Sequence, residues 1–179
     1  MRHSIELNAS LGPAIVPGFI MQELYAHARD AAPEECCGLI TGTDDVFFAT
    51  SHRITNIMTK MHVADPDAYP RDSHEAYYMA EKEVLAVIQG AEERGEKVTA
   101  VYHSHVGSGV YLSDEDLAYA EHPLFPFPGA AQLVISVVVD ASVSAGPDKL
   151  VEGAGLFLYD REAGAFDRSG GRRIEVADG

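Results

Sequence analysis

Residues 133–139, LVISVVV, are apolar or small without interruption, and five of the seven are branched at Cβ. Such side chains lose rotamer freedom in a helix and pack well on a pleated surface, so the run reads as a strand. A strand apolar on both faces has to be covered on both, which calls for a sheet with other elements packed on it. The run is also far short of the roughly 20 residues that a helix needs to cross a bilayer, and no other apolar stretch approaches that length.

The remaining segments supply such a sheet and its cover. SIEL (4–7) and AIV (14–16) read as short strands. From Pro17, the sequence PGFIMQELYAHARDA has a proline suited to a first helical turn, repeats Phe19/Ile20, Leu24 and Ala28 on one face, and breaks at Pro33. ECCGLITG (35–42) is expected as a buried strand, with a turn at Asp44-Asp45 leading into a strand over 46–54. Residues 55–72 have no clean period and are expected as a structured loop. Asp72 or Ser73 is expected to cap a long helix to about Arg94, with Tyr77, Val84, Val87, Ile88 and Ala91 on its apolar face and Gly95 ending it.

KVTAVYHSH (97–105) is the next strand, SDEDLAYAEH (113–122) a short helix stopped by Pro123, and PLFPFPG (123–129) a stiff connector. AQLVISVVVD (131–140) is the clearest strand, followed by a polar link over 141–149. GAGLFLYD (153–160) with AFDRS (165–169) suggests a closing hairpin, and RRIEV (172–176) a last strand. With no repeat and no interdomain linker, residues 1–179 read as one domain of α/β class, a mixed β-sheet flanked by helices.

Charge excludes one class of partner. Against 28 acidic residues stand 13 basic ones, a net charge of −15, so there is no basic face to grip nucleic acid. The start, MRHSIELNAS, has no apolar core or cleavage pattern of an export signal. The only cysteines, Cys36 and Cys37, are adjacent, a spacing that rarely closes a sound disulfide; they read as inert thiols opening a buried strand. The expectation is a cytoplasmic protein with no membrane segment.

The chemistry is concentrated in VYHSHVGSGVYLSDED (101–116). Side chains alternate along a strand, so His103 and His105 face the same way, about 7 Å apart along the backbone. Seven residues with a Gly-Ser-Gly centre then let the chain fold back. Ser113 opens a helix and Asp116, three residues on, shares its face. Ser-x-x-Asp is by itself a helix-capping pattern, and His-x-His alone is common on strand ends. Together they bring two imidazoles and a carboxylate within reach, the three-ligand set of a catalytic zinc with its fourth position open to water. Such a site needs a base, and spacing alone does not select one from so many acids. His52, His62 and His122 stand alone and read as surface or capped groups.

PEECCGLITG followed by YHSHVGSGVYLSDED resembles the JAMM (MPN-type) metalloprotease family: an upstream Glu, then His-x-His, seven residues, Ser, two residues, Asp. The likeness runs from about Ile15 to Tyr159. Val106 and Leu112 replace prolines often found after the second histidine and before the serine, which bears on loop shape rather than on the ligands. The resemblance implies a cytidine-deaminase-like α/β architecture and amide hydrolysis, with zinc on His103, His105 and Asp116. It further implies Glu35 rather than Glu34 as the base, and Ser113 as donor to the oxyanion. The implied substrate is an adduct on the C-terminal glycine of a ubiquitin-like or sulfur-carrier protein, held in a groove lined by loops 55–72 and 106–112, and a homodimer is compatible with it. A small-peptide metallopeptidase and a non-catalytic scaffold are the alternatives; degenerate scaffolds lose the ligands, and this chain keeps them. The Pro-Cys-x-x-Cys segment of zinc deaminases is missing, which disfavours that chemistry.

Overall fold

The structure, a computed structural model, describes residues 3–140, 142 and 148–178. In chain order its elements are β1 (Ile5–Glu6), β2 (Ala14–Pro17), α1 (Gly18–Ala31), β3 (Cys37–Gly42), β4 (Thr50–Ile54), α2 (Met58–Ala64) and α3 (Glu81–Glu93). The second half adds β5 (Lys97–Val106), β6 (Tyr111–Leu112), α4 (Asp114–Ala120), β7 (Ala131–Asp140) and β8 (Asp148–Phe157). The pair β9 (Tyr159–Asp160) and β10 (Ala165–Phe166) and the strand β11 (Arg172–Ala177) close the fold.

The β-branched run of β7 lies inside a seven-stranded mixed sheet of order β2-β11-β8-β7-β5-β3-β4. It pairs parallel with β5 and antiparallel with β8. A parallel neighbour requires a crossover, and α4 with its flanking loops provides it. Along β7, Leu133, Ile135 and Val137 face a core that buries Ile20, Met21, Leu24 and Ala28 of α1. On the opposite face Val134 packs with Leu117 of α4, Leu112 and Phe157. Both faces are covered, as the uninterrupted apolar run demands. The α/β class and the mixed sheet flanked by helices therefore stand.

The period of two also sorts β5. Ala100 and Tyr102 join the α1 side, while Val101 packs on the other face with Leu39, Cys37 and the α3 residues Val84, Val87 and Ile88. His103 and His105 follow Val101 on that second face, at the carboxyl end of the strand, where α/β folds place their ligands. Ser104 points the other way and ties β5 to the segment before β3: its Oγ accepts from Cys36 N at 2.8 Å and its N–H donates to Cys36 O at 3.1 Å.

Several expectations are corrected. Residues 55–72 contain the helix α2, which the pattern missed because none of its residues is buried and it has no apolar face to betray it. The helix expected from Asp72 begins only at Glu81. Ser73 does not cap it: its Oγ accepts from Thr59 N at 2.9 Å and its N–H donates to Thr59 Oγ1 at 3.1 Å. Asp72 instead closes a tight turn, accepting from His74 N at 2.9 Å. Tyr77 therefore lies on an extended stretch, held where Asn56 Oδ1 accepts from Tyr78 N at 3.1 Å. Residues 46–49 form no strand; the Phe47 carbonyl accepts from Thr99 Oγ1 at 2.6 Å and β4 starts at Thr50. Phe19 points to solvent, and Met21 fills the core beside Ile20 in its place. β8 begins at Asp148, earlier than expected, whereas most of the polar link over 141–147 lies outside the described residues.

Gly38 in β3 generates a prediction. A Cβ there would overlap the Tyr102 ring and the His52 carbonyl, and the latter is backbone that cannot step aside. Gly38→Ala is expected to lower unfolding stability by about 3 kcal/mol, the upper range for overpacking a core. Gly153→Ala, with nothing within 4 Å of its Cβ position, should change it little. Urea unfolding of both variants checks this; equal midpoints would contradict it.

Candidate metal centre

His103 and His105 stand at the end of β5 with relative exposures of 0% and 5%, on the side of the sheet that α4 covers. Their Nε2 atoms are 3.1 Å apart. Asp116 Oδ2 is 3.3 Å from His103 Nε2 and 3.5 Å from His105 Nε2. The return of the chain that brings it there is built by two turns, with Gly107 and Gly109 at φ +79° and +88°, a region that a side chain disfavours. At its end, β6 pairs with β1, Leu112 against Ile5. Leu112, at the position where the resembled family often has proline, is buried in the core beneath α4.

Ser113 is the N-cap of α4. Its Oγ accepts from Asp116 N at 3.1 Å, and its own N–H and O–H donate to Asp116 Oδ2 at 3.0 and 2.6 Å. The capping box and the approach to the histidines use the same carboxylate, so capping fixes Asp116 in place. Burial raises the Asp116 carboxyl, but the electrostatic influence of His103 and the polar contacts of His103, His105 and Ser113 outweigh it and hold the group well below the ordinary range.

Two ring nitrogens facing one another across 3.1 Å make a poor arrangement on their own but a good donor set. His105 Nδ1 lies 3.1 Å from the Gly109 carbonyl, which can only accept, so the proton sits on Nδ1 and Nε2 presents a lone pair. His103 Nδ1 is buried with no partner, so Nε2 is the only polar atom through which this ring is engaged. Bonds of 2.0–2.1 Å in a tetrahedron put neighbouring ligand atoms about 3.3–3.4 Å apart. The three observed separations bracket that edge. Two nitrogens, one carboxylate oxygen and this spacing fit a cation of zinc type, and the trio is the group of metal-binding residue types brought together among the described residues.

The rings are held by aromatic neighbours that the sequence reading did not assign. Tyr77 stacks on His103 with ring centres 4.7 Å apart and planes 27° apart, and Tyr111 lies 4.8 Å from His105. No sequence signal marks Tyr77, because its position depends on the long-range hold of Asn56.

His105 and Asp116 of the trio open onto a cavity of about 610 Å³ whose walls also include Glu35, Tyr77 and Ser113. Loop 55–72 contributes Met58 and Tyr69, and loop 106–112 contributes Ser108 and Tyr111. Glu35 is 7% exposed, and its backbone is fixed on both sides: its N–H donates to Ser73 O at 2.8 Å and its carbonyl accepts from Asn56 Nδ2 at 2.9 Å. Burial pushes its carboxyl up to about 9, the charge of Asp116 adds to the rise, and Arg71 opposes it. Glu34 is not part of the wall.

The other candidates are occupied elsewhere. His52 Nε2 bonds Thr41 Oγ1 at 2.9 Å, His62 Nδ1 the Tyr69 carbonyl at 2.6 Å, and His122 Nδ1 accepts from Leu124 N at 3.1 Å. Cys36 and Cys37 are buried, and burial pushes the Cys36 thiol up to about 12 and that of Cys37 well above its ordinary value, so neither is a nucleophile.

Residues 19–148 match the family described as prokaryotic homologs of the JAB domain. Among curated proteins, the CysO-cysteine peptidases of Mycobacterium bovis and Mycobacterium tuberculosis are 26% identical over 146 residues, covering 77% of this chain and 91% of theirs. The solution structure of protein DSY2949 from Desulfitobacterium hafniense matches with a TM-score of 0.55 at 22% identity, covering 92% of this chain and 93% of that one, a likeness of fold.

The expected stoichiometry is one divalent cation per chain. Zinc titration against a competing chelator should give one equivalent for the native chain, and none for the double variant His103→Ala/His105→Ala. Undiminished binding by that variant would exclude the trio as the holding group.

Proposed function

The chain belongs to the family of prokaryotic homologs of the JAB domain, and on that premise we propose that it is a zinc-dependent hydrolase of amide bonds. Its substrate in this reading is an adduct on the C-terminal glycine of a ubiquitin-like or sulfur-carrier protein, and residues 1–179 act as one JAMM-type unit. The observation that carries the reading is the convergence of His103, His105 and Asp116, with His105 and Asp116 sharing one cavity with a buried Glu35. The name of the mycobacterial relatives supports the class of adduct.

Held by His103, His105 and Asp116, zinc supplies a Lewis acid and lowers the pKa of water. Glu35 takes a proton from the attacking water and passes it to the leaving nitrogen. Burial lifts this carboxyl well above the ordinary carboxylate range, so a proton it has taken up is held until the amine departs. Ser113 lies on the same wall, and its hydroxyl reaches the substrate oxygen by turning its proton away from Asp116. Tyr77 and Tyr111 keep the imidazoles from rotating out of register. The wall built from loops 55–72 and 106–112 suits an extended glycine tail, because a chain without side chains can run along a narrow cleft to the three donor atoms.

Glu35→Gln preserves shape while removing proton acceptance. The expected outcome is full zinc binding with hydrolysis lowered at least about 100-fold, whereas Glu34→Gln stays near the native rate. If Glu34→Gln abolishes hydrolysis and Glu35→Gln does not, the base is misassigned.

Substrate class is tested by comparing two substrates of the zinc-loaded chain. One is a Gly-Gly-ending carrier carrying a single C-terminal cysteine; the other is the same tail as a free peptide. The adduct should react far faster, since the folded carrier adds binding energy that the tail lacks. Equal rates would favour a small-peptide peptidase, and inertness toward both would favour a scaffold.

A further inference from the structure

Glu35, Glu75, Glu115 and Asp116 all line the cavity, in a chain whose net charge is −15. Such a wall repels anions. Arg71 is the one lysine or arginine among the lining residues. Its backbone leads into a turn that is held at Ser73. Ser73 exchanges two hydrogen bonds with Thr59, at 2.9 and 3.1 Å, and its carbonyl accepts the N–H of Glu35 at 2.8 Å. The segment that carries the guanidinium is thus bonded directly to the backbone of the proposed base. His74, also on the wall, is turned toward Asp72, with Nδ1 3.1 Å from Oδ1.

The present partner of Arg71 is Glu115, with Nη2 2.6 Å from Oε1 and side-chain exposures of 43% and 60%. A pair this exposed contributes little, about 0–1 kcal/mol, so another carboxylate can replace Glu115 at small cost. The pair already demonstrates that the guanidinium accepts a carboxylate at the mouth of this cavity. Its charge also reaches the Glu35 carboxyl, whose rise it opposes.

We propose that Arg71 determines specificity by receiving the free α-carboxylate of the leaving amino acid. The inference rests on the reading of the site as an amide hydrolase acting after a carrier's terminal glycine, and it narrows that reading. The chain would remove one C-terminal amino acid joined through its α-amine, and would discriminate against an isopeptide whose leaving group is a lysine side-chain amine. In the step itself, a water oxygen bonds to the glycine carbonyl carbon and the C–N bond breaks. The water proton held by Glu35 goes to the departing nitrogen. The products are the carrier's glycine carboxylate and a free amino acid, with no oxidant or reductant needed. An amino acid attached through its α-nitrogen carries its carboxylate two bonds from the scissile nitrogen, so a cation on the wall that also holds the base can read it. A lysine attached through Nζ presents only methylenes there. The guanidinium fork suits this task because it grips both carboxylate oxygens at once.

The test compares two adducts of one Gly-Gly-ending carrier, carrier–cysteine and carrier–cysteinamide, which differ only in the terminal charge. For the native, zinc-loaded chain, kcat/KM should favour the acid by about 10- to 100-fold, the range of a charge-assisted hydrogen bond. Arg71→Gln should bring the ratio close to one mainly by slowing the acid, while Arg71→Lys retains part of the preference. A general loss of structure would lower both rates together and leave the ratio unmoved. Equal rates on acid and amide by the native chain, or a preference that survives Arg71→Gln, would overturn the proposal while leaving the hydrolase reading intact. Cleavage of neither adduct would overturn the hydrolase reading and the proposal with it.

Discussion

Everything in the structure that bears on function depends on one buried convergence: two imidazole nitrogens and a carboxylate oxygen within 3.5 Å of one another, beneath α4 at the end of β5. Burying three such groups is costly unless each has a partner, and the fold provides partners one by one. Gly109 takes the far nitrogen of His105, Ser113 takes Asp116 through the capping box, and Tyr77 packs flat on His103. What the protein does not satisfy internally is the space between the three, which fits a cation.

The wall around that space is electrically lopsided. Acid side chains dominate it, and the charges of Asp116 and Glu75 raise the Glu35 carboxyl further than burial alone would. A single guanidinium relieves the asymmetry at one edge, held there by the Ser73–Thr59 clasp. Adjoining hydrogen bonds at Ser73 link the backbone of the proposed base Glu35 to the segment that carries Arg71, the one lysine or arginine lining the cavity among the described residues.

How much of this was legible in the sequence follows from which contacts are local. Strands β3, β5 and β7 declare themselves as short, largely apolar runs, and helix α1 by apolar residues that repeat at the helical period. The histidines could be placed on one face because β5 alternates, and Ser113 with Asp116 because a helix start brings residues three apart together. Only resemblance separates Glu35 from Glu34, since nothing in its spacing singles it out; in the structure Glu35 is buried against the cavity and Glu34 is not part of its wall. Residues 55–80 were misread because their conformation is dictated from a distance. Asn56 bonds the backbone at Glu35, Ala76 and Tyr78, and these long-range bonds override the helical propensity of 73–80. For the same reason Tyr77 and Arg71 carry no sequence signature. They matter through where that loop is pinned.

The most direct measurement is anomalous diffraction at the zinc edge from crystals of the zinc-loaded chain. The account predicts one strong peak bonded to Nε2 of His103, Nε2 of His105 and Oδ2 of Asp116 at about 2.0–2.2 Å, with the remaining position facing the cavity lined by Glu35. Zinc found only elsewhere, with the two imidazoles still hydrogen-bonded to each other, would contradict it.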